Sequence, residues 1–235
     1  MYSICGTARY ALAYKGIPFR TEWIGWADIE VISRALGATP TGKKASGGPF
    51  YTVPMIYDPN TGEIVSDSLK IAIYLDNTYP STPPLFPPGT QTFQAVFTSA
   101  VYMTVVGKLY RILAIPTVNC FTPANAQVYK ETRIAFLGEA FGIPESPSPH
   151  EIAQHWKDLE ESLDLVSSWW DTDKHGGSFI TGDTPTYGDT VIAGLLIWAK
   201  VVLGEDSESW GRIVSRNDGR WGRLVEALEN YEVMD

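Results

Sequence analysis

Three residues in the first third of the chain, Pro54, Asp67 and Ser68, distinguish it from an ordinary hairpin by their types and spacing. Pro54 stands at the head of one β-branched run, and Asp67 and Ser68 follow the second run, where an amphipathic helix begins. A proline costs a strand one ladder hydrogen bond, so its presence there indicates that its geometry is needed. A carboxylate, a hydroxyl and the free backbone amides of a helix N-terminus therefore converge on one point. The alternative is a plain hairpin in which Ser66, Asp67 or Ser68 only caps the helix.

The composition argues against several other functions. A net charge of −9 disfavours nucleic acids and anionic membranes as partners, since both attract a basic surface. The two cysteines, Cys5 and Cys120, are too few for a disulfide framework and lack zinc-ligand spacing, so we expect no metal site. The chain has no signal-peptide pattern, and we predict a reduced, cytoplasmic setting.

The elements that must position these residues follow an α/β pattern up to about residue 80. A hairpin is predicted because the two β-branched runs are joined by Asp58-Pro-Asn-Thr-Gly62, the composition of a tight turn. Phe19-Arg-Thr-Glu-Trp-Ile24 alternates between apolar and polar residues like a strand. Helices are predicted at about residues 5 to 16, from Asp28 to Leu36 and from Ser68 to Tyr79.

After a proline-dense connector, Pro80 to Gly89, every predicted element is a helix. One helix is predicted from Gln91 to Leu113, and Thr122-Pro123 opens a second. A third helix follows Pro149 and carries an apolar stripe formed by Ile152, Trp156, Leu159, Leu163, Val166 and Trp170. We therefore expect two domains, residues 1–80 and residues 90–235.

The longest apolar run, Val191 to Leu203, is about 13 residues long and too short to cross a bilayer. A helix that is apolar on all sides and stays in water must be buried on all sides. Its predicted start is a capping box formed by Thr186 and Asp189, with Asp in place of the usual Glu or Gln.

Val53-Pro54 together with Asp67-Ser68 resembles the glutathione-binding half of the thioredoxin-like domain of glutathione transferases. The resemblance implies an α/β thioredoxin-like N-terminal domain, an all-α C-terminal domain, and glutathione as co-substrate. In that family the proline is cis and turns the backbone of the preceding residue toward the cysteinyl part of glutathione. The acidic residue binds the α-ammonium group of the γ-glutamyl end, and the serine binds its α-carboxylate. The segment from Gly182 to Asp189 also resembles the family's capping-box segment.

Within that family, the chain resembles the fungal etherase-like Fu-A class over nearly its whole length. The likeness rests on Arg9 to Gly16, Gly37 to Thr41, Tyr51 to Pro54, Thr132-Arg133 and Asp218 to Trp221. It implies a cytoplasmic homodimeric enzyme of detoxification that conjugates glutathione to aromatic electrophiles or cleaves aryl ethers. Two alternatives stay open: a non-catalytic ligandin that binds phenolic compounds in the same cleft, and a scaffold or regulatory protein that keeps only the fold.

The family's first β-strand has no counterpart in the sequence, which starts essentially at the family's first helix. In the family that strand is internal, so its loss would leave two neighbours without ladder partners, at roughly 1–3 kcal/mol per buried polar group. Two explanations are open, a start codon or exon missed in the predicted gene and a truly shortened protein, and we favour the first. The N-terminal catalytic segment is therefore expected to be incomplete.

The family's thiol-activating residue lies just before the first helix, at a set distance from a Lys-Gly turn. Counting back from Lys15 leads to Tyr2, and Ser3 is the candidate if the loop is shifted by one residue. A hydroxyl there would donate a hydrogen bond to sulfur and lower the pKa of the thiol. The alternative is that both are disordered terminal residues. Cys5 lies closer to the turn and lacks a following proline, so we expect it to pack.

The second substrate is expected between the first domain and the first helix of the second. Candidate wall residues are Phe97, Val101, Met103, Thr104, Tyr110 and Ile112, some of which must face the core instead. A pocket of aromatic and apolar side chains would suit flat apolar compounds. Lys44, or its neighbour Lys43, is the candidate for binding the glycyl carboxylate of glutathione; the alternative is two solvated loop lysines.

Overall fold

The computed structural model describes residues 6–44, 46–137, 147–172 and 176–231. The first part of the chain mixes helices with short antiparallel strands. Its elements are α1 Gly6–Tyr14, α2 Ile29–Leu36, β1 Gly42–Lys43, β2 Pro49–Phe50, β3 Met55–Asp58, β4 Glu63–Ser66 and α3 Ser68–Thr78. A single 3-10 turn, Trp26–Asp28, precedes α2.

The second part of the described chain is helical. Its elements are α4 Gln91–Val101, a π-helical segment Tyr102–Val106, α5 Gly107–Asn119, α6 Pro123–Leu137, α7 Pro149–Trp170, α8 Tyr187–Leu203, α9 Glu208–Val214, α10 Arg216–Ala227 and a closing 3-10 turn Glu229–Tyr231. The predicted fold class, an α/β part followed by an all-α part, is confirmed. Pro123 opens α6 and Pro149 opens α7, as their fixed φ angles favour.

The hairpin of β3 and β4 forms as predicted. Met55 pairs with Ser66 and Asp58 with Glu63, so the turn holds residues 59–62. The Asp58 carboxylate fastens this turn to the end of α3, because it accepts hydrogen bonds from the hydroxyls of Tyr74 at 2.7 Å and Tyr79 at 2.6 Å. Although burial acts to raise it, these hydrogen bonds hold the pKa of Asp58 below its ordinary value.

Two apolar clusters make up the core, and α8 contributes to both. One lies within the helical part and includes Leu109 and Leu113 of α5 and Ile192 of α8. The other lies between α1 and α3 and includes Tyr187 and Val191 of α8. The prediction that this helix is buried on all sides is therefore confirmed along most of its length.

The predicted capping box at the start of α8 is also confirmed. Oδ2 of Asp189 accepts hydrogen bonds from the Thr186 amide at 2.8 Å and the Thr186 hydroxyl at 2.7 Å. Oδ1 accepts a third from the Ile180 amide at 2.8 Å, which fixes the preceding loop to the helix. The Asp189 side chain is wholly buried, and burial raises the pKa of its carboxyl to about 6, against the opposing effect of these hydrogen bonds.

The predicted strand Phe19 to Ile24 is not formed. A strand exists only through hydrogen bonds to a neighbour, and no ladder from another described segment reaches these residues. Within the described chain, β3 pairs with β4 alone, and a cavity of about 650 Å³ lies between its other edge and residues 17–24. The alternating sequence is therefore present without the partner that would make it a strand.

Two further expectations about helices are corrected. The helix predicted to end at Leu113 continues through α5 to Asn119, because Pro116 lies within it without ending it. In the α7 stripe, Ile152 is 43% exposed, whereas the other five residues are buried as predicted. Ile152 lies in the first turn of α7, beyond the reach of the core that covers the rest of the stripe.

The continuous helix from Gln91 to Asn119 is long and apolar enough, by length and composition alone, to cross a membrane. Its apolar side chains have another use in this fold, since Val105, Leu109 and Leu113 are buried in the helical core beside α7 and α8. Packing within the protein accounts for only part of this composition, because Phe93, Val96 and Met103 of the same helix are exposed.

Candidate functional site

A backbone hydrogen bond joins the two parts of the predicted binding motif. The amide of Asp67 donates to the carbonyl of Pro54 at 3.3 Å, directly beyond the Met55–Ser66 pair that ends the hairpin ladder. The peptide bond between Val53 and Pro54 is cis, as the resemblance implied. The hairpin therefore brings the proline loop and the N-terminus of α3 side by side.

Asp67 caps α3 with one carboxylate oxygen and leaves the other available. Oδ1 accepts hydrogen bonds from the amides of Leu69 at 3.0 Å and Lys70 at 3.1 Å. Oδ2 accepts none from any residue that the structure describes. The backbone of Asp67 has a φ of 85° and a ψ of 128°, which lies outside the left-handed helical region that aspartate tolerates and is strained for a residue with a side chain. Asp67 therefore caps the helix through Oδ1, as the alternative interpretation predicted. Oδ2 has no hydrogen-bond donor among the described residues and can accept one from a ligand.

The hydroxyl of Ser68 belongs to a cluster of hydroxyl groups at the junction of the two parts of the chain. It lies 3.2 Å from the hydroxyl of Tyr187, the first residue of α8. The Tyr102 side chain, from the π-helical segment, lies near Ser68 and near Thr7 of α1. Burial raises the pKa of both tyrosines, so both are neutral hydrogen-bond donors near pH 7. Four elements therefore meet at this serine.

The other predicted site residues lie apart from this group. The ammonium of Lys44 pairs with Oε2 of Glu30 on α2 at 2.7 Å, and Lys43 is exposed. Hydrogen bonds from Lys44 and then from Arg34 hold the pKa of Glu30 below its ordinary value. Within the described part of the chain, no hydrogen bond joins Lys44 to the proline loop or to α3. The contact that the structure shows for the Lys44 ammonium is therefore the ion pair with Glu30.

Tyr2 and Ser3, the candidates for activating the thiol, lie outside the described residues, and so does Cys5.

The cavity beside β3 is mainly apolar and reaches the proline loop. Residues 17–24 line one side, and residues 53–60, which include Val53 and Pro54, line the other. Trp26 and Phe121 also line it. A volume of about 650 Å³ is within the range of small-molecule sites.

The predicted electrophile wall does not line this cavity. Val101 and Tyr110 face the helical core, where they are 1% and 6% exposed. Phe97 packs edge-on against Trp169, and Met103 is 83% exposed on the outer face of the helix. The expectation that some of the six candidates face the core therefore applies to Val101 and Tyr110, because successive residues of a helix point in different directions.

Sequence reasoning missed the hydroxyl groups of Thr7, Tyr102 and Tyr187 near Ser68. Tyr187 lies inside the capping-box segment that the sequence did mark, so its proximity to α3 could have been suspected. Tyr102 depends on the π-helical segment, for which this sequence offers no local signal.

Two domain families match the chain. The glutathione S-transferase N-terminal domain matches residues 3–78, and the glutathione S-transferase C-terminal domain matches residues 92–231. The second match alone covers more than half of the chain.

Similar proteins agree with these families. The glutathione S-transferase-like protein ustS of Aspergillus flavus is 29% identical over 94% of this chain and 82% of its own length. The crystal structure of glutathione transferase GSTFuA2 from Phanerochaete chrysosporium is 38% identical, with a TM-score of 0.88 over 98% of this chain and 90% of that chain. The glutathione S-transferase CsGST63524 of Ceriporiopsis subvermispora, crystallised in complex with glutathione, is 34% identical, with a TM-score of 0.90 over 100% of this chain and 92% of that chain.

Proposed function

The chain belongs to the glutathione S-transferase family, and on that premise we propose that it conjugates glutathione to aromatic electrophiles or cleaves aryl ethers with it. The observation that carries this proposal is the hydrogen bond between Asp67 and Pro54, which places the proline loop beside a carboxylate, a hydroxyl and the amides of α3. This arrangement complements the ammonium and carboxylate at one end of glutathione.

Each part of glutathione has a proposed partner in the chain. The backbone of Val53, before Pro54, binds the cysteinyl part. Oδ2 of Asp67 binds the α-ammonium group, and Ser68 with the first amides of α3 binds the α-carboxylate. Lys44 binds the glycyl carboxylate with the ammonium hydrogens that Glu30 leaves free, since an ammonium has three donors.

Ser3, or Tyr2 if the loop is not shifted, is the proposed activator of the thiol. A hydroxyl that donates to the sulfur stabilises the thiolate and so lowers the pKa of the thiol. The thiolate then attacks the electrophilic carbon, a carbon–sulfur bond forms, and the bond to the aryl oxide or other leaving group breaks. The leaving group departs with the electron pair and takes up the proton that the thiol released.

Retention on immobilised glutathione tests the binding site. Asp67→Asn keeps an oxygen that can cap α3 but replaces the ligand-facing oxygen with an amide, which repels an ammonium group. We expect it to lose retention, because a hydrogen bond to a charged group contributes roughly 1.5–3 kcal/mol, or about ten- to a hundredfold in affinity. Asp206→Asn makes the same change at an exposed residue of the α8–α9 turn and should keep retention. Equal retention of the two variants would remove Asp67 from the site.

A non-catalytic ligandin is the second candidate, and the cavity of about 650 Å³ favours it. An apolar space that opens on the proline loop could hold a phenolic compound without chemistry. A carrier would bind the dye 8-anilinonaphthalene-1-sulfonate, release it to a phenol, and show no conjugation of glutathione with a chloronitrobenzene. An enzyme would form the conjugate at a rate that saturates with glutathione.

A homodimer is proposed from an exposed apolar stripe on α4 and the π-helical segment. Phe93, Val96 and Met103 are 75%, 64% and 83% exposed, and their spacing of three and seven residues places them on one side of the helix. Exposed apolar stripes of this kind are typical of association surfaces. Sedimentation of the chain should give twice the monomer mass, and Met103→Lys should shift it toward the monomer.

We also propose that the protein acts in detoxification in the cytoplasm.

A further inference from the structure

We infer that Arg133 of α6 is the anchor of a binding site for small aromatic carboxylates. Its guanidinium pairs with the carboxylate, and the rings of Trp26, Phe121 and Tyr129 receive the apolar body of the ligand. The site lies where the 3-10 turn before α2 packs against α6. None of these residues belongs to the proposed glutathione site, so the inference goes beyond the proposed function.

The guanidinium of Arg133 is held against two aromatic rings. Its Cζ lies 5.0 Å from the centroid of the Trp26 ring and 5.4 Å from that of the Tyr129 ring. Trp26 is itself fixed, because its indole donates to the Thr132 hydroxyl at 2.9 Å and packs edge-on against Tyr129, with ring centroids 4.8 Å apart. Contacts between a guanidinium and aromatic faces are attractive. The position of Arg133 is therefore set by ring packing.

No acceptor in the described part of the chain satisfies this guanidinium. Its Nε is buried without a hydrogen-bond partner, and no described carboxylate forms an ion pair with it. Burial lowers the pKa of Arg133, but the ordinary pKa of arginine is so high that the group stays charged near pH 7. Buried charges in proteins are normally paired. A bound anion would supply the missing partner.

Other arginines of this protein show that ring contacts do not usually replace a carboxylate. Arg212 and Arg220 also lie over tryptophan rings, at 4.7 and 5.2 Å. Each is paired with an acid as well, Arg212 with Glu160 and Arg220 with Asp171. Among the residues described, Arg133 has the ring contacts without the carboxylate.

The surroundings of Arg133 indicate an anion that is both planar and aromatic. A guanidinium matches a carboxylate with two parallel N–H···O hydrogen bonds. The Phe121 ring lies 6.1 Å from that of Trp26 and 5.2 Å from that of Tyr129, so three rings are in contact beside the charge. Trp26 and Phe121 also line the cavity of about 650 Å³. An aromatic carboxylate would use both the charge and the rings, whereas inorganic phosphate would use only the charge.

A second buried donor supports an anion at this place. Tyr110 of α5 belongs to the same apolar cluster as Trp26 and Tyr129, and its hydroxyl has no hydrogen-bond partner among the residues described. Burial raises the pKa of this phenol, while the nearby positive charge of Arg133 acts in the opposite direction. A neutral phenol of this kind has a proton to donate to a carboxylate.

Calorimetric titration with cinnamate and cinnamamide tests the inference without glutathione. The two probes share a planar body, and only cinnamate is charged at pH 7. We expect the unmodified chain to bind cinnamate at least about tenfold more tightly, because hydrogen bonds between charged groups are stronger than neutral ones. Arg133→Met keeps a long apolar side chain against the rings and should reduce cinnamate affinity to that of cinnamamide. Arg133→Lys keeps the charge without the fork and should give an intermediate preference.

The control is Arg111→Met, which removes an exposed arginine of α5 and should leave the preference for cinnamate unchanged. Melting temperatures without a probe distinguish binding from a structural role. Arg133→Met should melt at the same temperature as the unmodified chain or higher, because it removes a buried charge that has no partner among the described residues.

Three results would overturn the inference. They are an unmodified chain that does not prefer cinnamate, an Arg133→Met chain that keeps the preference, and an Arg133→Met chain that melts lower and weakens both probes equally. A chain that prefers cinnamate as expected but forms no glutathione conjugate would overturn only the proposed function.

Discussion

At the scale of a single residue, the buried carboxyl of Asp189 makes the stability of the fold depend on pH. Its carboxyl has an ordinary pKa of 3.8, which burial raises to about 6 in the folded chain. Between these values the folded chain holds a proton that the unfolded chain has released, so raising the pH favours unfolding. The stabilising contribution of this proton is complete below about pH 4 and is lost as the pH rises through about 6.

We therefore predict that Asp189→Asn flattens the pH dependence of stability. The unmodified chain should lose, relative to the variant, of the order of 3 kcal/mol of unfolding free energy between about pH 4 and pH 7. Above about pH 6 the variant should also be less stable because an amide, unlike the carboxylate, cannot accept all three hydrogen bonds from Ile180 and Thr186. Urea unfolding at several pH values measures both effects.

The control for this prediction is Asp183→Asn, an exposed residue of the same loop. It should keep the slope of the unmodified chain. Parallel slopes for Asp189→Asn and the unmodified chain would show that Asp189 does not carry the titration.

At the scale of elements, α10 begins with three consecutive residues in the left-handed region. Asn217, Asp218 and Gly219 have φ values of 52°, 56° and 77°. Asn217 is held there by its side chain, which donates to Asp164 at 2.8 Å and accepts from the indole of Trp221 at 2.8 Å. Arg216 adds a two-pronged pair with the same Asp164 carboxylate. The turn between α9 and α10 is thus fastened to α7.

We predict that Asn217→Ala destabilises the chain more than Asn217→Gly does. Both variants lose the same two hydrogen bonds, at roughly 1–3 kcal/mol for the buried indole of Trp221, which is left without its acceptor. Alanine additionally disfavours the left-handed conformation by about 1–2 kcal/mol, whereas glycine adopts it freely. Denaturant unfolding gives the two values. If alanine proves equal to glycine or better, the left-handed backbone is not a determinant of stability.

Local signals in the sequence predicted most elements of this fold. The capping box at Thr186 and Asp189, the prolines that open α6 and α7, and the α7 stripe were all readable, because each depends on residues within a few positions of one another. Phe19 to Ile24 was read wrongly, since alternation describes a strand's side chains but a strand also requires a neighbour. The π-helical segment could not be read at all, because it arises from packing of a long helix.

The predicted site divides in the same way. The proximity of Pro54 to Asp67 follows from the hairpin register, so sequence was sufficient. Lys44 was predicted to bind the glycyl carboxylate only because it is a lysine near the hairpin. No local pattern indicated that its ammonium forms a hydrogen bond with Glu30, fourteen residues earlier. Tyr102 and Tyr187 come near Ser68 only through tertiary packing.

At the scale of the whole molecule, a contact between two glycines allows α1 to lie against α8. A Cβ at Gly194 would stand 2.7 Å from the Thr7 hydroxyl and 3.0 Å from the Thr7 amide, and a Cβ at Gly6 would stand 3.0 Å from the Gly194 Cα. These helices belong to different parts of the chain, so this contact helps to fix how the parts meet.

We predict that Gly194→Ala destabilises the chain by about 1–3 kcal/mol, because the methyl group must push α1 away from α8. Gly211→Ala is the matched control: it lies in α9 with open space around it and should be neutral or stabilising by up to about 1 kcal/mol. Thermal unfolding measures both. A Gly194→Ala chain as stable as Gly211→Ala would show that the helices can separate freely.

The π-helical segment has a consequence for natural length variation. The buried residues of this helix, from Val101 onward, are Val105, Leu109, Leu113 and Thr117, each four residues after the last. An α-helix has 3.6 residues per turn, so side chains four residues apart rotate gradually away from the core. Deleting one residue between 102 and 105 would turn the first interval into three and leave an ordinary helix with the same buried face. Such a homologue would keep the buried face but would turn the side chain at position 102 in a different direction. Single-residue gaps at this point in a lineage should therefore mark where that direction changed.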